Sequence, residues 1–176
     1  MSPLPLRQIR IWTPQLETVK RADDTLIVRQ LGELPEHPRR ITDSLVHWAQ
    51  QAPDRVWMAR RDETGRWRKI TYGQALQAIR AIGQSLLDLG VSVESPLVIL
   101  SDNSIEHALL ALAAQHVGAA SAAVSPAYAL VSTDFAKLKD IAAQLTPGLI
   151  YADDAQRFAG PIAAAFDPGV PVVSVR

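Results

Sequence analysis

From residue 96 onward the apolar residues fall into short unbroken runs: Leu97-Val98-Ile99-Leu100, Ala119 to Val124, Leu149-Ile150-Tyr151 and Val172-Val173. Their starts lie 22 to 30 residues apart, which leaves room for one helix between neighbours. Parallel strands need such a crossover helix, so the spacing predicts four adjacent parallel strands in one sheet. Helices are expected near residues 104–117 and 132–145. In the first, Ile105, Ala108, Leu109, Leu112, Ala113 and Val117 make a wide apolar face behind an Asn103/Glu106 cap. The second carries Phe135, Leu138, Ala142 and Leu145 and stops at Pro147-Gly148. A third helix after Asp153-Asp154 is expected to be split by Gly160-Pro161.

Upstream the rhythm differs. Thr42 is placed to cap a helix bearing Leu45, Trp48, Ala49 and Ala52, with Ile41 and Val46 at staple positions, and Pro53 ends it. Val56 to Arg60 and Trp67 to Ile70 flank Asp62-Glu63-Thr64-Gly65 and predict a hairpin. Thr71 and Gln74 form a capping-box pattern opening a helix with Leu76, Ile79, Gly83 and Leu86 inward and Gly90 as its stop. Residues 1–40 carry Pro3, Pro5, Pro14, Pro35 and Pro38 and are expected to form an arm whose Leu26-Ile27-Val28 crosses a surface without making a core. The fold class is therefore α/β, a parallel sheet with helices on both faces, with domain limits at 1–40 for the arm and 41–176 for the sheet domain.

Composition narrows the function classes. At 176 residues, with 48% hydrophobic and 20% charged residues and a mean hydropathy of +0.04, the chain is a globular protein, neither a disordered polymer nor a membrane bundle. Basic and acidic residues are equal at 18 each, so no overall field draws in nucleic acid or an anionic membrane. That balance hides an asymmetry: residues 1–88 hold 14 basic and 10 acidic side chains, residues 89–176 hold 4 and 8. The absence of cysteine excludes disulfides and thiolate chemistry and fits a reducing, cytoplasmic setting. Met1 to Leu16 is cut by prolines and reads as no signal peptide. The uncharged run His107 to Thr133 is long enough to span a bilayer, but Gln115, His116, Gly118 and Pro126 interrupt it, and it reads as a buried helix followed by a buried strand.

Candidate chemistry is sparse. In a doubly wound sheet ligands bind at the carboxyl ends of the strands, so the loops after Leu100, Val124 and Tyr151 are the places to look. The first, Ser101-Asp102-Asn103-Ser104, has no glycine to let a backbone approach a pyrophosphate, and neither a dinucleotide fingerprint nor a P-loop occurs. Its Ser-Asp-Asn tripeptide lacks the companion motifs of serine β-lactamases. Ser101, Asp102 and His107 are close in sequence but are not expected to converge as a relay, and Asp102 and Asn103 read as helix caps. His37, His47, His107 and His116 show no zinc-ligand spacing, and His116 is expected to benefit from a helix C-terminus. Trp48, Trp57 and Trp67 read as core. Arg60, Arg61, Arg66, Arg68 and Lys69 crowd the hairpin and read as a solvated edge, with a binding patch as the alternative. Ser125 to Leu130 is the most suggestive loop, placing Tyr128 where a crevice is expected.

The order of these segments resembles a known family. Thr42 to Asp54, Trp67 to Leu89 with Thr71-Tyr72 opening its helix, Ser101-Asp102-Asn103-Ser104-Ile105-Glu106, Gly118, and Val124-Ser125-Pro126-Ala127-Tyr128 are similar to the amino-terminal region of adenylate-forming acyl-CoA ligases over about residues 22–160. The run His107 to Leu149 resembles feruloyl-CoA synthases most closely. The resemblance implies the amino-terminal, truncated part of an ATP-dependent ligase that makes an acyl-adenylate from an aromatic carboxylate such as ferulate, releasing pyrophosphate, and passes the acyl group to CoA. Adenylation turns a poor acyl donor into a good one once Mg²⁺ and hydrogen-bond donors stabilise the phosphate charge.

ATP, Mg²⁺ and CoA are thus implied for a complete enzyme. The family's Ser/Thr/Gly-rich phosphate loop and its catalytic lysine have no counterpart among these residues, where the only lysines are Lys20, Lys69, Lys137 and Lys139. No catalytic, cofactor-binding or metal residue is carried over, and the chain alone is expected to be inactive. Expected partners are the remainder of the ligase or a second copy. The alternative reading is a non-catalytic α/β interaction module.

Overall fold

A computed structural model describes residues 13–175; Pro3, Pro5 and the start of the Met1 to Leu16 stretch lie outside the described residues. Two compact units divide between His37 and Pro38. In the first, β1 (Leu16–Lys20) and β2 (Leu26–Gln30) pair antiparallel. Leu26-Ile27-Val28 is therefore a paired strand rather than a lone extended crossing, although Leu16, Leu26 and Val28 stay exposed.

The second unit is an α/β sandwich. β5 (Leu97–Leu100), β6 (Ser121–Val124), β7 (Leu149–Ala152) and β8 (Val172–Ser174) form one parallel sheet in the order β6-β5-β7-β8. α3 (Ile105–Val117) is the crossover between β5 and β6. Every side chain of β5 is fully buried, and alternate ones serve opposite faces. Leu97 and Ile99 join a core with Leu45 of α1 (Thr42–Gln51), Ala75, Ile79 and Leu86 of α2 (Tyr72–Asp88), and Ile105, Leu109 and Ala113 of α3. Val98 and Leu100 join a second core with Ala129 of α4 (Pro126–Leu130), Leu138 and Ala142 of α5 (Ala136–Leu145), and Phe158 of α6 (Ala155–Ala165). Helices thus cover both faces. β8 lies beyond this cover, with Val172 and Val173 exposed.

Sequence patterning works where the signals are local. Thr71 caps α2 reciprocally with Gln74, and Gly90 turns left-handed at its end while the Val91 N–H returns to the Leu86 carbonyl. β3 (Val56–Arg61) and β4 (Trp67–Thr71) form the expected hairpin, set on the first core through Met58 and Ile70. Where α2 crosses α3 the fit is close: a Cβ at Gly83 would lie 2.7 Å from Val117 Cγ1.

Six expectations need correction. Thr42 is not a cap: it is wholly buried and its Oγ1 lies 2.9 Å from His116 Nδ1, while Asp43 reaches back to the Arg40 N–H and guanidinium instead. Ile41, the residue that does precede the helix, is exposed and staples nothing. Ser104, not Asn103, caps α3, accepting from the His107 N–H at 2.9 Å. Ser125 to Leu130 is largely the helix α4, entered through Pro126 at its start. The next helix begins at Ala136 rather than 132, because Ser132 and Asp134 accept the Phe135 and Ala136 N–H groups and hold Phe135 left-handed. Pro161 does not split α6; it is buried beside Phe158 and Ile162, and apolar burial outweighs the one helical donor it lacks.

Trp48 and Trp67 are exposed rather than core, and only Trp57 is half-buried, stacked on Tyr72 at 5.9 Å. Among the described residues no helix is long and apolar enough to cross a membrane.

His116 corrects another expectation. Burial, then the positive charges of Arg40 and Arg80, hold its imidazole below the ordinary range against the opposing pull of Asp43, so its site disfavours the charged form that a helix C-terminus would favour. In the unfolded chain the histidine takes up its proton near pH 6.5. The folded state takes it up only at lower pH, so its contribution to stability is present above the unfolded value and is lost as pH falls through that window. Urea midpoints measured from about pH 7 to about pH 5 should therefore fall more steeply for the native chain than for His116→Gln. Parallel curves would remove His116 from the account.

Candidate functional site

The sheet order places a topological switch point between β5 and β7, because the chain leaves β5 for β6 on one side and returns to β7 on the other. Ligands of open α/β sheets bind outside the carboxyl ends of the strands at such a point. The loops that meet here are Ser101 to Ser104 after β5 and Asp153-Asp154 after β7, and between them lies a cavity of ≈ 150 Å³ lined by Arg60, Asp102, Ser104, Glu106, Tyr151, Asp153, Asp154, Arg157 and Val175.

Hydrogen bonds lock the two loops together. Asp102 donates its backbone N–H to Asp153 Oδ2 at 3.1 Å, and its own Oδ2 accepts from Arg157 Nη1 at 2.9 Å. The Asp153 N–H donates to the Leu100 carbonyl at 3.2 Å. Asp154 caps α6, its Oδ1 accepting from the Gln156 and Arg157 N–H groups. The Asp102 hydrogen bond, opposed by desolvation and reinforced by the charges of Asp102, Asp153 and Asp154, raises the Arg157 pKa above its usual value.

On the other side Glu106 pairs with Arg68. Burial works against ionisation of Glu106, but the Arg68 hydrogen bond, its own backbone and the charges of Arg68 and Arg60 outweigh it and keep the carboxyl below its usual range. This pair ties the β3–β4 hairpin to the first turn of α3.

Ser101 and His107 come together although no relay was expected: Ser101 Oγ lies 2.7 Å from His107 Nδ1. The third member goes elsewhere, since Asp102 is committed to Arg157. Ser101 is 3% exposed, so its hydroxyl is a buried strut between the β5 terminus and α3, not an accessible nucleophile. The other sequence candidates scatter. Tyr128 sits on α4 against the second core with Lys137 Nζ 5.3 Å from its ring, outside the cavity lining. His37 contacts the Pro35 carbonyl, and His47 stands edge-on to Trp48. Lys20 pairs with Asp24, and Lys139 donates to the Asp134 carbonyl. Sequence reading missed Arg157; its only signal was a position three residues beyond the Asp154 cap, where an N–H and a side chain both point back toward the strand ends.

Four carboxylates, Asp102, Glu106, Asp153 and Asp154, face this cavity against the guanidinium groups of Arg60 and Arg157. Both helix N-termini already donate to Ser104 and Asp154. The donor set therefore does not fit a nucleotide phosphate, which needs free N–H groups and net positive charge. Among the described residues no group of three His, Cys, Asp or Glu stands ready for a metal.

Removing the Ser101 hydroxyl should leave His107 Nδ1 without its partner. Ser101→Ala is expected to lower the unfolding free energy by about 1–3 kcal/mol, read from urea denaturation; an unchanged midpoint would mean the contact is energetically idle.

Comparison with known proteins places the chain. A family model described as AMP-binding enzyme matches residues 45–156. Malpinin synthetase from Mortierella alpina is 26% identical over 155 residues, 85% of this chain and 2% of that protein. Among solved structures, a fatty acyl-adenylate ligase from L. pneumophila, in complex with acyl adenylate and pyrophosphate, superposes with a TM-score of 0.61 at 17% identity, covering 77% of this chain and 23% of its own. The NpsA N-terminal subdomain from Klebsiella oxytoca, in complex with 3-hydroxyanthranilyl-AMSN, gives 0.57 at 20% identity over 77% of this chain and 30% of that one. The chain thus spans less than a third of each of these relatives, and the fold it shares with the solved structures is that of the amino-terminal subdomain of adenylate-forming ligases.

Proposed function

The chain belongs to the AMP-binding enzyme family, and from that premise we propose that it is the amino-terminal portion of an ATP-dependent ligase that activates a carboxylic acid as its acyl-adenylate. The family match across α1 to β7 carries this reading. The finer part of the proposal is an aromatic acid of the ferulate type with CoA as acceptor, supported by the similarity of His107 to Leu149 to feruloyl-CoA synthases. ATP, Mg²⁺ and CoA belong to the complete enzyme. The carboxylate-lined crevice does not fit their phosphates, so this chain's residues hold the scaffold, and no chemical step is assigned to them.

By itself the 176-residue chain should catalyse no acid-dependent ATP–pyrophosphate exchange with ferulate, coumarate or fatty acids. Adding a family ligase fragment that begins near its phosphate loop should restore exchange. Robust exchange by the chain alone, with contaminating ligase excluded, would overturn the proposal that it lacks its own chemistry.

The partner follows from β8. Among the described residues no strand pairs with its outer edge, and Val172, Val173 and Val175 are exposed without a charge or proline among residues 172–175 to guard it. The remainder of the ligase is the proposed cover, and self-association is the fallback when that is missing. Equilibrium sedimentation of the chain should show oligomers that dissociate when the complementary fragment is added. A clean monomer without apolar-dye binding would favour the independent interaction module.

A further inference from the structure

We propose that the outer face of the β3–β4 hairpin is a docking surface for an acidic protein segment, with Trp67 as its anchor. Cross-strand register fixes which side chains share that face. Arg61 is opposite Trp67 and Ala59 is opposite Lys69, while Arg60, Arg68, Met58 and Ile70 point to the other side. The inner set is spoken for: Met58 and Ile70 pack on the first core and Arg68 pairs with Glu106.

The outer set is held in place, and among the described residues no ion pair engages it. Arg61 donates to the Gly65 carbonyl at 3.0 Å, and its guanidinium lies 4.6 Å from the Trp67 ring centroid, so both are held in place before any partner arrives. Trp67 is nevertheless 54% exposed. Lys69, on the same face, has no ion-pair partner among the described residues. Asp62, in the turn, spends Oδ1 on the Thr64 N–H, the Thr64 hydroxyl and the Arg66 N–H.

A hairpin edge that needs only to resist aggregation is served by charge alone. A half-exposed tryptophan ordered under an arginine is instead the composition of an interface anchor, where Trp and Arg are over-represented. The charge around it selects carboxylates. The size of the face selects a short segment, because five strand residues span only about 17 Å. A nucleic-acid duplex or a membrane is an extended anion that needs a longer basic surface than this face offers. The same size keeps the contact well short of the ~800 Å² that each side of a stable complex buries, so binding is weak and sensitive to salt.

The test is amide NMR of the full chain titrated with a decaglutamate peptide, with phosphatidylserine vesicles and a DNA duplex as competitors for the same face. Shifts are expected on residues 59–69 and on the Trp67 indole, disappearing at high salt. Arg61→Gln with Lys69→Gln should weaken binding about tenfold, and Trp67→Ala about fivefold; Lys139→Gln should leave it unchanged. All four positions are exposed, and retention of the remaining amide pattern establishes that each variant is folded. Absent shifts, shifts centred elsewhere, or tighter binding of vesicles or DNA would overturn the proposal. None of these outcomes depends on whether the chain is part of a ligase.

Discussion

The structure depends on the parity of one strand. β5 is buried on every side, paired with β6 on one edge and β7 on the other, and its odd-numbered residues feed one core while its even-numbered residues feed the other. β7 repeats the division, with Leu149 and Tyr151 on the first side and Ile150 and Ala152 on the second. A slip of one residue against either neighbour would exchange all of these side chains between two differently shaped cores. With each large apolar side chain worth roughly 1.5–3 kcal/mol on burial, no surface interaction in the molecule competes with that constraint. The helices, the loops at the strand ends and the position of the hairpin all follow from it.

That strand was readable in the sequence because a buried parallel strand is an uninterrupted apolar run, and four such runs separated by helical lengths leave few topologies. Signals contained within one turn were equally readable, such as the Thr71/Gln74 box and the Gly90 stop. The failures share a cause: a polar residue near a helix start has several uses, and the sequence does not say which prevails. Thr42 had the right position to cap but was taken by His116 from a distant helix. Asn103 and Ser104 are both capping residues, and the Ser104 geometry won. Pro161 looked like a break because its missing N–H is local, whereas the burial that compensates is supplied by α4 and α5.

The crevice was legible in location and not in content. Strand ends and a switch point can be inferred from topology, and the lack of glycine in the first loop left no expectation of a phosphate cradle there. The pairing of Asp102 with Arg157 and of Glu106 with Arg68 joins residues 55 and 38 positions apart, which no local pattern encodes. The result is a place where α/β folds usually admit a ligand, closed here by the chain's own ions.

The crossing of α2 over α3 carries a historical consequence. Gly83 and Val117 are 34 positions apart, yet the absence of one Cβ is what lets the other side chain occupy its place. The two sites share a single volume, so neither can drift alone. A lineage that acquires alanine at 83 is expected to carry a smaller residue at 117, or to have arrived there through an intermediate with a loosened crossing. Among homologues these two positions should change together, and the order of the changes should be glycine last to leave.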